Sequence, residues 1–194
     1  MNVRKNFALV GLRKAGKTSV LFEARLRIEA QGALCPYIYV MFEDTKSSFL
    51  IRYANVCLLS FLRWKGKGET IFEDSFDSLK GQIVQAVELK PALASHLFAL
   101  SEALASPPEL KSLEMTLALP QSLVADEEAQ IVVLIDEFQN VAFLDLPVID
   151  FLRRRILTDT AVSYIIAGSE VGMMKEILES GKAPLFGHFD IQGV

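Results

Sequence analysis

The sequence predicts an α/β fold: a three-layer arrangement with a parallel sheet between helices, carrying an α-helical insert. Three observations lead there. Short apolar runs alternate with helical patterns at both ends of the chain, which implies right-handed crossovers between parallel strands. Ile131-Val-Val-Leu-Ile135 is five consecutive branched aliphatics, the composition of a strand buried on both faces. Residues 47–128 hold helical patterns and little strand signal, which places the insert between the second and third strands. A chain of 194 residues suits one such core with an insert better than two full domains.

Each element has its own signal. Asn6 to Val10 is a short apolar run that stops at Gly11. Thr18 to Ala30 follows with helix-favouring composition, and Leu21, Phe22, Leu26 and Ile28 are expected mostly on one face. Gln31-Gly32 closes this helix, and after Pro36 the run Tyr37-Ile-Tyr-Val-Met-Phe42 predicts the second strand. Helices are expected over Ser47–Trp64, about Phe76–Lys90, Pro91–Ala105 and Pro108 to roughly Glu128, the last broken near Pro120. Their breakers are Lys65-Gly-Lys-Gly68 and Ser106-Pro-Pro108, since proline ends one helix and is tolerated in the first turn of the next. The third strand stops at Asp136 and Glu137. Leu146–Leu157 reads as a helix with Pro147 in its first turn, and Ala161–Ala167 as a buried strand ending at Gly168-Ser169. Glu170–Ser180 is a short helix closed by Gly181, and Phe189–Gln192 is a candidate fifth strand.

Charge and composition narrow the function. Twenty basic against 24 acidic residues give a net charge of -4, so general nucleic-acid binding has no compositional support and phosphate chemistry needs a local site. Cys35 and Cys57, 22 positions apart, fit neither a zinc site nor a disulfide scaffold and read as buried thiols in a reducing compartment. Charge returns at Arg13 and Lys14 after Phe7-Ala-Leu-Val10, too soon for a signal-peptide core. No run of 18 uncharged apolar residues exists to span a membrane, so a cytoplasmic location is expected. The mean hydropathy of +0.31 is high, which predicts apolar surface that meets a partner or further domain.

Gly11-Leu-Arg-Lys-Ala-Gly16-Lys17-Thr18 matches G-x-x-x-x-G-K-[ST], the Walker A pattern, between a predicted strand and a predicted helix. Glycines let successive N–H groups turn toward one anion, and the following helix adds the positive end of its dipole. The candidate phosphate-binding residues are Gly11, Arg13, Lys14, Ala15, Gly16, Lys17, Thr18 and Ser19. Lys17 would neutralise the β- and γ-phosphates, and the Thr18 hydroxyl is a hard ligand suited to Mg²⁺. Arg13 and Lys14 either contact phosphate or a partner, or are solvated loop charges. Asp136, directly after the hydrophobic strand, resembles a Walker B aspartate that supports the metal across from Thr18. Glu137 would polarise the attacking water, against the alternative of a helix N-terminal charge. Gln139 would orient water or contact the γ-phosphate, or serve as a turn amide. Ser169 is a nucleotide sensor at the strand end or a helix N-cap. In Arg153-Arg154-Arg155 the side chains diverge, so at most one or two reach a neighbour; an arginine finger competes with a solvated face. His96 reads as a packed helix residue, and neither it nor His188 has a partner at metal-binding spacing. Phe61-Leu-Arg-Trp64-Lys-Gly-Lys is a contact surface or a helix end whose cations complement the dipole.

Gly11-Leu-Arg-Lys-Ala-Gly-Lys-Thr-Ser19, Val133-Leu-Ile-Asp-Glu-Phe-Gln139, Ile166-Ala-Gly-Ser-Glu-Val-Gly172 and Ala183-Pro-Leu-Phe-Gly187 together resemble the signatures of archaeal-type P-loop ATPases of the STAND branch, related to the AAA+ and Cdc6/Orc1 ATPases. The likeness spans roughly residues 3–192, with 47–128 similar only in character. It implies a sheet of order 5-1-4-3-2, Mg-ATP as ligand, and slow hydrolysis used as a conformational switch. By position it also implies Lys17 and Thr18 on phosphate and Mg²⁺, Asp136 behind the metal, Glu137 as base and Ser169 as sensor. The sequence departs from the family at His188, where an arginine is usual, and in having little before its first strand. Residues 1–194 are therefore read as the ATPase core without the lid and effector domain such proteins carry, either a compact member or a piece of a longer chain.

The function expected is Mg-dependent ATP binding and hydrolysis by a P-loop hydrolase, as a homo-oligomer or with a further domain. The alternatives are a non-hydrolysing nucleotide-binding module and a small-molecule kinase whose acceptor cap is the helical segment. A GTPase is disfavoured because no N-K-x-D motif occurs.

Overall fold

The computed structural model describes residues 5–67 and 73–194; Gly68, one of the expected helix breakers, lies outside them. Strands β1 (Phe7–Val10), β2 (Tyr37–Tyr39), β3 (Ile131–Asp136), β4 (Val162–Gly168) and β5 (Asp190–Gly193) form one sheet in the order β2-β3-β4-β1-β5. Every pairing is parallel. This is the expected order read from the other edge. Val10 pairs with Gly168 and Tyr39 with Asp136, so the chain leaves the strands along one rim of the sheet.

Alternation along the strands assigns the two faces. Leu9, Leu134 and Ala167 join Leu21 and Cys35 in a small cluster under α1 (Lys17–Ala30). Ala8, Val10, Val133, Ile135 and Ile166 point the other way, into the main core. That core receives α2 (Lys46–Trp64), α3 (Phe76–Leu89), α4 (Ala94–Ala105), α5 (Leu110–Val124), α6 (Val148–Thr158) and α7 (Val171–Leu178). A 3₁₀ turn, Pro91–Leu93, precedes α4, and another, Phe138–Phe143, follows β3. Both cysteines are buried free thiols, and burial pushes the Cys35 thiol up to about 12. No helix among the described residues is long and apolar enough to cross a membrane.

Several elements depart from the sequence expectation for identifiable reasons. Leu21 is buried on α1, but Phe22 and Leu26 are 46% and 64% exposed, so the expected apolar face is split. At 3.6 residues per turn Lys17, Leu21 and Ile28 share a stripe, and Phe22 and Leu26 lie to its side. Phe22 instead stacks on Tyr37 with ring centroids 4.8 Å apart. The second strand ends at Tyr39, not Phe42: the Asp44 carboxylate accepts from Met41 N–H and turns the chain toward the Thr45 cap of α2. α5 runs unbroken through Pro120. Proline inside a helix costs about 3 kcal/mol, which several buried leucines at roughly 1.5–3 kcal/mol each outweigh; here Leu113, Leu117, Leu119 and Leu123 are buried. Pro147 is the N-cap of α6 rather than a first-turn residue, and α7 ends at Leu178, before Gly181.

Candidate functional site

The site forms where β1, β3 and β4 end. β1 passes through the loop 11–16 into α1, and Gly16 takes φ 92°, a left-handed conformation that favours glycine. Gly16 offers no side-chain cap, and no acid sits in the first turn, so the opening N–H groups of α1 are left for an external acceptor. The buried Lys17 Nζ donates to the carbonyls of Gly11 and Leu12, both at 2.8 Å. An ammonium has three donors, so one remains.

Across from this loop, Asp136 is fully buried and receives donors from three elements. The Thr18 hydroxyl donates to its Oδ2 at 2.7 Å, the Tyr37 hydroxyl to the same oxygen at 2.9 Å, and Glu137 N–H to Oδ1 at 2.9 Å. Glu137 sits at φ 52°, unusual for a non-glycine residue, where the chain reverses from β3 into the 3₁₀ turn. Its Oε2 accepts from Gln139 Nε2 at 2.6 Å and from the Ser169 hydroxyl at 2.7 Å. Ser169 N–H donates to Gln139 Oε1 at 3.3 Å, so amide, hydroxyl and carboxylate form one closed cluster. Gly168 is what admits it: an added Cβ would lie 2.8 Å from Gln139 Oε1 and 2.4 Å from Met174 Sδ.

Lys17, Thr18 and Glu137 border a cleft of about 710 Å³ whose near wall is Arg13, Lys14 and Gly16 to Ser19. Its far wall is Tyr39, Met41, Phe42, Glu43 and Asn140, with Glu137 between. Asn140 Nδ2 donates to Val40 O at 2.9 Å, and Arg52 of α2 donates to Tyr39 O at 3.1 Å, so the far wall is tied to the 3₁₀ turn after β3 and to the helical segment. Burial, then the charges of Asp136 and Glu137, raise the Tyr37 phenol above its ordinary value, which keeps it a donor.

Of the sequence-selected residues, Lys17, Thr18 and Glu137 line the cleft with Gly16 and Ser19, while Asp136 is buried behind Thr18, and Gln139 and Ser169 behind Glu137. Thr18 and Asp136 are hard oxygen donors in direct contact, a set that fits Mg²⁺, which needs few protein ligands. Among the described residues no group of three His, Cys, Asp or Glu is placed to hold a metal. Arg13 is exposed and ion-paired with Glu170 at 3.7 Å. Two of the three arginines contact their own helix and its cap: Arg154 lies over the Phe151 ring and Arg155 pairs with Asp159. Trp64 and Lys65 likewise form a helix end, Trp64 Nε1 donating to Gly32 O at 2.9 Å.

Sequence reasoning missed Tyr37 and the far wall. Tyr37 had already been assigned to a strand, and only strand register, which the sequence does not carry, brings its hydroxyl to Asp136. Tyr39, Met41 and Phe42 of the far wall lie in the run expected to form that strand, and Glu43 and Asn140 carried no signal of a site.

No family model and no curated protein matches this sequence. Among solved structures it is similar to the Aeropyrum pernix ORC2 protein, described as ADPNP-ADP complexes, with 14% identity and a TM-score of 0.49. The match covers 97% of this chain and 41% of that one, so this chain spans about two fifths of that protein's length.

Proposed function

We propose that this chain binds Mg-ATP and hydrolyses it slowly, as a switch of the kind its motifs resemble in STAND-type ATPases. The observation that carries the reading is that Lys17, Thr18 and Glu137 line one cleft, with Asp136 hydrogen-bonded behind Thr18 and Ser169 behind Glu137. The phosphate chain would lie on the opening N–H groups of α1, with the free donor of Lys17 toward its terminal oxygens. Thr18 and Asp136 would hold Mg²⁺, which when bound neutralises phosphate charge and orients the leaving oxygen.

The remaining chemistry belongs to the carboxylate cluster. Hydrolysis needs a base for the proton that water loses as its oxygen attacks phosphorus and ADP departs. Glu137 Oε1 accepts no hydrogen bond among the described contacts, whereas Oε2 is held by Gln139 and Ser169. Ser169 and Gln139 therefore orient the base while leaving one oxygen for water. The tie from Arg52 to Tyr39 supports the switch: movement of the far wall with nucleotide state would reach α2 directly.

The test is ATP binding and phosphate release by the purified chain with Mg²⁺. Lys17→Ala should abolish binding; retained affinity would sink the phosphate-loop reading. Glu137→Gln should keep binding and lose turnover, and equal loss of both would make Glu137 structural. Binding by the parent chain without release would favour the non-hydrolysing module.

A further inference from the structure

We propose that Tyr37 is a positioning residue for the metal site: it fixes how the Asp136 carboxylate can meet a divalent cation. The inference rests on the Mg-ATP reading above and adds to it a residue on β2, outside all the motifs that led there.

A carboxylate has about four acceptor positions. In Asp136 three are taken: Glu137 N–H on Oδ1, and the hydroxyls of Thr18 and Tyr37 on Oδ2. Thr18 belongs to α1 and Glu137 follows β3, so each has a reason to be there in the nucleotide motifs themselves. Tyr37 has none, and comes from the edge strand. Its phenol is held at the far end of a rigid lever, because the ring is stacked on Phe22 of α1 at 4.8 Å with an interplanar angle of 32°. Phe22 and Tyr37 thus join α1 and β2 beside the carboxylate that both elements contact.

The consequence is selectivity. With Oδ2 filled by two hydroxyl donors, Asp136 has one acceptor position left, on Oδ1. Mg²⁺ keeps several waters and accepts a carboxylate at a single position, whereas Ca²⁺ takes flexible and bidentate carboxylates readily. Removing the phenol hydroxyl frees a second position and lets the carboxylate rotate. The arrangement favouring Mg²⁺ is lost, while contacts to a larger cation become easier. No hydrogen bond among the described residues joins Tyr37 to the loop 11–17, so metal-free phosphate binding is expected to be unaffected.

Tyr37→Phe keeps the ring and its stacking and removes only the donor. Binding of a fluorescent ATP analogue is titrated first in EDTA and then against Mg²⁺ and, separately, Ca²⁺, for the parent chain and the variant. The expected result is an unchanged metal-free affinity, a Mg²⁺ midpoint raised about tenfold, the scale of one hydrogen bond to a charged group, and a Ca²⁺ midpoint that moves less. An unchanged Mg²⁺ midpoint in a variant that still binds nucleotide overturns the role of Tyr37 and leaves the Mg-ATP reading standing. Loss of metal-free affinity in step with the metal midpoint makes Tyr37 merely structural and also overturns it. Failure of the parent chain to bind nucleotide under any condition sinks the underlying reading, and this inference with it.

Discussion

One buried guanidinium ties the far wall of the cleft to the helical segment, and removing it gives a sharp test of how that wall is held. Arg52 donates to Asp44 Oδ2 at 2.6 Å, to Asp74 Oδ2 at 2.6 Å and to Tyr39 O at 3.1 Å. Its side chain is 8% exposed, that of Asp44 2% and that of Asp74 28%. Burial opposes its charge, but the hydrogen bonds to the two aspartates outweigh that and raise its pKa. Arg52→Met retains the stem and deletes the charge, leaving two carboxylates without their cation. Breaking a buried pair costs about 3–5 kcal/mol. Asp44 keeps Met41 N–H and the Ser48 hydroxyl as donors, and Asp74 reaches water, which points to the lower end. At roughly 2–4 °C per kcal/mol for a domain of this size, about 3 kcal/mol lowers Tm by roughly 6–12 °C. Calorimetry on the two chains reads the shift. Adding Asp44→Asn and Asp74→Asn should restore at least half of it, because the loss lies in uncompensated charge rather than in missing contacts. A fall of less than about 2 °C, or a triple variant less stable than the single one, would refute this account.

Two further predictions concern the site and its surroundings. Gly168→Ala should lower stability by about 1–3 kcal/mol, the usual cost of overpacking, and reduce phosphate release more than ATP binding, because its Cβ displaces Gln139 from Glu137 and Ser169; melting and single-turnover assays measure both. His96 is held below its ordinary value of 6.5, first by burial and then by Arg155. Below 6.5 the unfolded chain therefore binds more protons than the folded one, so stability should fall as pH drops from 6.5 through the lowered folded value. His96→Gln should flatten urea denaturation midpoints across that window, and an unchanged slope would remove His96 from the acid response.

What the sequence made legible follows from how local each signal is. The loop 11–18 and the pair Asp136-Glu137 are contiguous, and each is bounded by an apolar strand whose ends the residues themselves mark. Their chemistry survives translation from spacing to space because the strands are parallel and end at one rim. Ser169 and Gln139 were selected separately, with two readings each; the sequence gives no hint that they bind the same oxygen of Glu137. That depends on Gly168, whose missing side chain makes room for an amide 29 residues earlier in the chain. Pro120 misled for the opposite reason: a strong local breaker was overridden by packing that only the folded chain supplies.

The segment from Val40 to Asp44 joins these two kinds of failure, and it is where the proposed switch would act. Its composition, aromatic and β-branched through Phe42, favours strand, and β2 is the edge of the sheet, where extension costs little. The chain turns instead because Asp44 offers one carboxylate to Met41 N–H, to the Ser48 hydroxyl and to Arg52. Met41 and Phe42 are thereby left exposed at the cleft rather than in a strand, and Phe42 meets Phe143 from the 3₁₀ turn after Glu137, ring centroids 5.2 Å apart. A local preference for strand is thus opposed by a single polar anchor that begins at α2. An element in which local preference and tertiary anchoring conflict is the kind that a ligand in the cleft could bias. Hydrogen exchange on Val40–Asp44 with and without Mg-ATP would show it: altered protection there and in the first turn of α2 fits a switch, and protection confined to residues 11–19 would mean the wall takes no part.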